Sequence, residues 1–533
     1  MSHGRTPLFR AFRRALQIAG AAGRPGAPPV DALVEASRSA RLSRRGFLAG
    51  TAGSAAALMA AGCVPATPVN ALATPSPAAG PRIAIVGGGM AGLSAAWTLR
   101  RAGLRATVYE AANRTGGRIL SATGVVGPGF VTELGAEFID TPHVTMLRYA
   151  AELDLDLIDV STDDEQVEVL AFGGERRSLE EVVEALRPVI LRMAIDQERL
   201  PKGIAHDAAP PLAVTGDRMS IADYLAAMTD AAPWMRDLLR VVYVTEFGLD
   251  AEEQSALNLL ETFSWSRGEI AWFGDSDERF KVAGGNQRIP DGLAARLDGQ
   301  IRLGHALRAL APAGEGYRLS FETAGGMVDV AADLVVMTLP FTMLRTVDLS
   351  IPMSQGKRAA IDGLGYGANA KLFLGFDRRV WRADGKCGNF FAADPAQSGW
   401  DSTRLQDGEA GALTVYLGGR VGADLGRQPA ETRAREMLPA LDRVFPGVAS
   451  AFNGRASMFD WPRQRFVGGS YACYRPGQWT SVRGLEGAPV GNVLFAGEHC
   501  SADFQGFMEG AAETGEAAAR LILARLGVRR RAA

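Results

Sequence analysis

Some residues of this 533-residue chain have the type and spacing to do chemistry. Gly87-Gly88-Gly89-Met90-Ala91-Gly92 holds a GxGxxG spacing in Gly87, Gly89 and Gly92, with Ala91 inside the turn. It follows a β-branched run, Arg82-Ile83-Ala84-Ile85-Val86, and opens a helical stretch reaching about Ala102. The first glycine permits a tight turn. The second lets a pyrophosphate approach the backbone, and the third lets the helix pack close to the strand. The helix N-terminus then faces the phosphates with unpaired N–H groups. A second strand, Ala106-Thr107-Val108-Tyr109, ends in Glu110, an acid suited to a ribose hydroxyl pair. Strand, turn, helix, strand and acid together predict a dinucleotide site. Lys371 stands out for another reason. It lies in the apolar run Ala370-Lys371-Leu372-Phe373-Leu374-Gly375-Phe376, where an ammonium loses hydration unless partners or water replace it. A lysine snorkelling at a sheet edge fits that run equally well.

The chain that must position these groups is 47% apolar and 22% charged, the composition of an ordinary soluble protein of two to four domains. A formal net charge of −2 gives nucleic acid no purchase. The balance is uneven: residues 1–63 carry nine arginines against Asp31 and Glu35, a net of +7 that leaves −9 on the rest. The four cysteines form no CxxC pair and the five histidines are scattered, which argues against zinc and excludes a disulfide framework. No internal repeat is evident.

The basic leader reads as an address. Ser43-Arg44-Arg45-Gly46-Phe47-Leu48 precedes an apolar run from Leu48 to Gly62, shorter than the about 20 residues a bilayer span needs. A twin arginine, a short apolar stretch and small residues predict a Tat export signal over 1–63 and a Pro/Ala-rich linker over 64–80. Two processing sites compete: a loose lipobox at Ala60-Ala61-Gly62-Cys63, which would lipidate Cys63, and a small-x-small site at Ala71-Leu72-Ala73. Residues 1–80 are therefore set outside the fold. The product is expected to be periplasmic or a membrane-tethered lipoprotein, with the Tat translocase as a partner during export.

Arg114-Thr115-Gly116-Gly117-Arg118 follows the second strand, and here the sequence resembles the flavin-containing amine oxidase family, within the wider glutathione-reductase-like FAD fold. The resemblance covers nearly all of 81–526. In that family the glycine pair, here ending in Gly117, brings the backbone near the cofactor, and the second arginine, here Arg118, lies by the pyrophosphate, where its planar fork offers several donors. Glu133 to Phe138, with Ala136, resembles the segment beside the flavin ring. Lys281 to Gly285 resembles the return to the FAD domain. Ile301 to Leu307 resembles a strand whose end contacts adenine, placing Leu307 there. Val335 to Pro340 resembles the strand that leaves again. Asn492 to Glu498, then Gly506-Phe507-Met508-Glu509-Gly510-Ala511, resembles the closing strand and flavin-binding helix start. Glu498 would face the ribityl–phosphate side and Met508 the ring. The implied fold class is α/β: a Rossmann-like FAD domain (81–150, 276–340, 456–527) interleaved with an α+β substrate domain (151–275, 341–455). The first substrate stretch reads as helical from Leu179 to Leu200, after the N-cap pattern at Ser220, and from Ala251 to Trp265; the second has β-like runs at 372–374 and 413–417.

The resemblance also implies roles. Lys371 would hold a water near flavin N5 and favour O2 reduction. Tyr471 and Phe507 would flank the substrate amine, with Trp461 beside the open face. Where mitochondrial monoamine oxidases link a Cys to the flavin, this chain has Ser470, so non-covalent FAD is expected, Cys473 being a poor substitute. Asp140 or Glu137 would meet a distal cation of the substrate, or Asp140 is a solvated acid or a cap before Thr141-Pro142. The expected reaction passes hydride from the α-carbon of an amine to flavin N5, giving an imine, then a carbonyl compound and ammonia or a smaller amine, with O2 reduced to H2O2. An L-amino acid oxidase of the same fold and a flavin-bound protein without turnover remain alternatives, and a homodimer is left open.

Overall fold

A parallel sheet of very short strands organises the nucleotide-binding part. The computed structural model describes residues 80–528 apart from 164–166, 267–268 and 273–275, together with 28–36 and Ala15, Ile18, Ala19 and Ala21. The strands are β1 (Ile83–Val86), β2 (Thr107–Tyr109), β3 (Ile301–Arg302), β4 (Leu334–Met337) and β5 (Val493–Phe495), in the order β3-β2-β1-β4-β5. Every pairing is parallel. β1 and β4 are buried along their whole length, as expected of strands covered on both faces. Two helices lie against this sheet, α1 (Met90–Arg101) and α2 (Met508–Arg525).

The helices can touch only because glycine stands at their contact. A Cβ on Gly515 of α2 would sit 2.2 Å from the Ala91 carbonyl oxygen of α1; one on Gly92 would sit 2.0 Å from the Gly87 carbonyl oxygen, so glycine also seats α1 on the turn before it. Ser94 Oγ closes the contact by donating to the Ala512 carbonyl (2.7 Å).

A second sheet has seven strands. Its order is Phe452–Asp460, Ala370–Phe376, Gly411–Leu417, Ser398–Asp401, Lys386–Ala392, Val167–Phe172, Glu175–Arg177. The helix Pro233–Phe247 packs on it, and further helices join that one, among them Leu179–Glu198, whose capping box joins Ser178 to Glu181, and Ile221–Ala226, capped likewise by Ser220 and Asp223. The strand Phe452–Asp460 crosses the expected 455/456 boundary, so that boundary falls inside an element.

Other expectations need correcting. Ala251 to Trp265 is not one helix: Ala256–Glu261 is helical, and Phe263–Ser266 is a strand paired antiparallel with Glu269–Trp272. Short apolar runs do not separate period 3.6 from period 2. Ile301 to Leu307 is not one strand either. Gly304 adopts a left-handed φ of 68°, and Leu307 lies in the strand Ala306–Ala313 of a separate four-stranded sheet. Setting 1–80 outside the fold was too broad, since Ala15, Ile18, Ala19 and Val34 are buried in the same core cluster as Val182, Leu186 and Leu238. The twin arginine, Cys63, the Ala71–Ala73 site and the linker before Gly80 lie outside the described residues. Among the described residues no helix is long and apolar enough to cross a membrane.

Gly515→Ala is expected to destabilise the fold. Overpacking against a backbone oxygen costs about 1–3 kcal/mol, more than the about 1 kcal/mol that alanine gains over glycine in a helix. Thermal melting should show a lower Tm, and an unchanged Tm would mean that α1 and α2 are not held at this distance.

Candidate functional site

One cavity of about 400 Å³ runs past the C-terminal ends of the parallel strands, the usual ligand position in such sheets. Glu110, His305 and Leu307 line one end. Glu110 is fixed there by the loop it faces: Gly88 N–H donates to Oε2 (2.6 Å) and Ala112 N–H to Oε1 (2.7 Å). Burial raises its pKa, against the pull of these bonds.

Gly87, Gly89, Ala91, Gly117, Arg118 and Glu498 line the middle. Gly87 has φ 109°, and a Cβ there would meet Thr338 Oγ1 at 2.4 Å. Gly92 does its work behind the cavity, where α1 packs on the Gly87 turn and on Ile85 of β1. Arg118 Nη1 donates to Glu498 Oε1 (2.8 Å) and to the Ser470 carbonyl (2.7 Å), and Gly506 N–H donates to Glu498 Oε2 (2.9 Å). Arg118, Glu498, the Ser470 segment and the start of α2 are thereby tied together.

Gly135, Ala136, Glu137, Phe138, Lys371, Trp461, Tyr471, Phe507 and Met508 line the far end. Cross-strand register puts Phe459, Lys371, Tyr416 and Ser398 in one row, with Trp400 two residues from Ser398 and so on the same face. Trp461 is anchored by its indole N–H to the Leu134 carbonyl (3.0 Å). The Tyr471 hydroxyl donates to the Glu246 carbonyl (2.8 Å) and lies 2.9 Å from the Tyr416 hydroxyl. Phe507 is met edge-on by the buried His143 ring, centroids 5.0 Å apart. His143 Nδ1 accepts the Asp140 N–H (2.9 Å), which puts the proton of the neutral ring on Nε2.

These partners bear on several expectations. Lys371 Nζ donates to the Glu133 carbonyl (3.0 Å), the Gly135 carbonyl (2.8 Å) and Glu137 Oε2 (2.8 Å). An ammonium has three protons, so in this conformation none is left to hold a water. Glu137 is not offered to a substrate cation: Oε1 takes the Lys281 ammonium (2.9 Å) and the Trp400 indole N–H (2.9 Å). Asp140 is buried rather than solvated, and its Oδ1 accepts the Glu278 N–H (2.6 Å). Ser470 donates to Asn369 Oδ1 (2.6 Å). Cys473 is buried against Asn258 and is not among the lining residues, because 470–473 is not a regular strand. His143, Lys281, Trp400 and Tyr416 were missed as site residues. Tyr416 lay in a recognised β run, but its partner strand carried no local mark.

The cavity fits a long ligand, anionic in the middle. The N-termini of α1 and α2 both open onto it, and neither carries a side-chain cap. Uncapped first-turn N–H groups and the positive end of the helix dipole suit a pyrophosphate at one helix and electron-rich ring atoms at the other. Among the described residues no cluster of His, Cys, Asp and Glu could hold a metal.

Sheet order, glycine turn and paired helix ends define a dinucleotide-dependent enzyme of the Rossmann type. The chain belongs to the flavin containing amine oxidoreductase family, whose model matches residues 90–523. It is 26% identical to an L-amino acid dehydrogenase of Synechocystis (82% of this chain, 94% of that one). It is 25% identical to flavin-containing amine oxidase A of Sus scrofa (84% and 85%). Its fold is similar to cyclohexylamine oxidase from Brevibacterium oxydans (TM-score 0.73, 21% identity, 84% and 99% covered). It is also similar to putrescine oxidase bound to putrescine (TM-score 0.71, 23% identity, 83% and 99%). The protein is an FAD-dependent amine-oxidising enzyme.

Two buried groups near the site make stability depend on pH in opposite senses. Burial pushes the Glu133 carboxyl from 4.5 up to about 7, although Lys281, Ser121 and Asn286 favour its charged form. The folded state holds that proton more tightly, so the contribution is whole below pH 4.5 and is lost as pH rises to about 7. Burial pushes His499, whose ring nitrogens have no hydrogen bond, from 6.5 down to about 3. Its contribution is whole above pH 6.5 and is lost as pH falls towards 3. Differential melting should show the Tm of Glu133→Gln rising relative to wild type between pH 4.5 and 7, and that of His499→Leu falling relative to wild type between pH 3 and 6.5. Flat differences would place both groups in water.

Proposed function

We propose that this chain is an exported oxidase that takes hydride from the α-carbon of an amine and passes the electrons to O2. The carrying observation is the continuity of one cavity, from the dinucleotide cradle to an end walled by Tyr471, Tyr416, Trp400, Trp461, Phe138 and Phe507. FAD bound there without a covalent link would supply a two-electron acceptor at N5. Glu110 would hold the ribose. Gly87, Gly89, Ala91, Gly117 and Arg118 would hold the pyrophosphate, and Leu307 would meet the adenine. Ala136, Glu498 and Met508 would meet the ribityl and ring portions.

The chain's own residues do the rest. Tyr471 and Phe507 orient the amine-bearing carbon by their faces, and both rings are braced, the first by the Glu246 carbonyl and the second by His143. Glu137 is committed to lysines and so does not trap the substrate as an ammonium. That favours the neutral amine, from which hydride leaves more readily. The aromatic walls exclude water until the imine forms and is hydrolysed. With O2 as acceptor, amine, O2 and water give a carbonyl compound, ammonia or a smaller amine, and H2O2. Export through the Tat route suits a cargo that must fold around its cofactor in the cytoplasm, leaving it periplasmic or tethered at Cys63.

Anaerobic mixing of the yellow protein with a panel of amines and α-amino acids tests this reading. Amines are expected to bleach the flavin band and, in air, to yield one H2O2 per carbonyl formed. Bleaching by α-amino acids alone would move the reading to L-amino acid oxidation. No bleaching would leave a flavoprotein without turnover. Acid precipitation is expected to leave FAD in the supernatant, and colour in the pellet would overturn non-covalent binding.

A further inference from the structure

The interior beside the cavity holds more charge than the reaction above uses. Glu137, with 4% of its side chain exposed, lies between two ammonium groups, Lys371 (5%) and Lys281 (11%). It is also a junction of chain segments. It belongs to the 133–138 segment, Lys371 to the strand Ala370–Phe376, Lys281 to the strand Phe280–Val282, and Trp400 to the strand Ser398–Asp401. One carboxylate accepts from all three partners. Burial works to raise the Glu137 carboxyl, but the two ammoniums override it and hold the pKa below its ordinary value.

Below the range in which Glu133 ionises, at about pH 7, the array has a definite charge. Two ammoniums and one carboxylate leave a single positive charge on the wall formed by Gly135, Ala136, Glu137 and Lys371, with little water to screen it. The other groups facing it are known. Glu133 is a further titratable group, bonded to Ser121 Oγ (2.6 Å) and the Asn286 N–H (2.8 Å), and Glu278, Asp401 and Arg404 line a small pocket together with Lys281 and Trp400. Trp400 and Tyr416 present their rings to Lys371 Nζ at 5.2 and 5.9 Å, and Phe138 presents its ring to Lys281 Nζ at 5.5 Å. Removing one member therefore changes the charge of the wall by a full unit rather than exposing it to solvent.

We propose that Glu137 is a positioning residue. It binds Lys371, Lys281 and Trp400 into a buried Lys–Glu–Lys array, and the net single positive charge of that array sets the electron affinity of the flavin. The array fixes Lys371 against the 133–135 backbone and limits the positive charge at the ring to one unit. This rests on the flavin occupying the cavity, and the visible spectrum of the wild type checks that separately.

The test compares E137Q with K281M in flavin-loaded protein, reading the flavin midpoint potential against pH with a reference dye. E137Q removes the carboxylate, so the wall carries two positive charges; K281M leaves a neutral Lys371–Glu137 pair. At about pH 6 the potential is expected to shift up in E137Q and down in K281M. A purely structural role for Glu137 would move both variants in the same direction or neither, and that result overturns the proposal. Should E137Q fail to fold, the downward shift in K281M decides alone, and no shift there overturns it. A wild type without flavin colour would instead defeat the reading of the cavity.

Discussion

Everything at this site depends on the close approach of two helices whose contacting residues Ser94 and Ala512 stand 418 positions apart. Helix N-termini are useful to an anionic ligand only within about the first turn. Both must therefore face the same narrow space. The geometry allows this because Gly515 lets α2 meet the Ala91 carbonyl and Gly92 lets α1 meet the Gly87 carbonyl. Side chains at either position would push one helix end away and leave half a cradle.

Once the helix ends are in place, charge is distributed along the cavity by burial and pairing. Arg118 is balanced by Glu498 in the middle, and Lys371 and Lys281 share Glu137 at the far end. The carboxylates of Glu110, Glu137, Asp140 and Glu498 are each engaged by a cation or by backbone N–H groups, so these acids shape the wall. The aromatic end is correspondingly rigid: Tyr471, Trp461 and Phe507 each have a partner behind the ring. A flavin-dependent oxidation of an amine asks for such surroundings, since it needs orientation and a dry site more than a strong base.

The amino-acid sequence alone determined what is local. A β-branched run followed by GxGxxG can hardly be anything but strand, turn and helix, and the acid after the next strand came with the same spacing. Gly87, Gly89, Glu110 and the start of α2 were legible because each works on or through the backbone of its own segment, whereas Glu498 and the Ser470 carbonyl, the partners of Arg118, lie in distant segments. Ser178 and Ser220 marked helix starts for the same reason. The run from Ile301 to Leu307 misled because a single left-handed glycine ends one strand and sends the next into another sheet.

What only the tertiary structure decided is the partner of each buried charge. Lysine in an apolar strand signals that acceptors must exist, without saying which. Glu137, Lys281 and Trp400 come from separate segments, and their meeting depends on the register of the seven-stranded sheet against the 133–138 segment. The same holds for Asp140, which read as a solvated acid or a substrate ligand and is instead buried beside His143. Local propensity acts over a few residues, whereas desolvated charges are satisfied by whatever the fold brings within hydrogen-bond distance, and that distance is set by the packing of the whole chain.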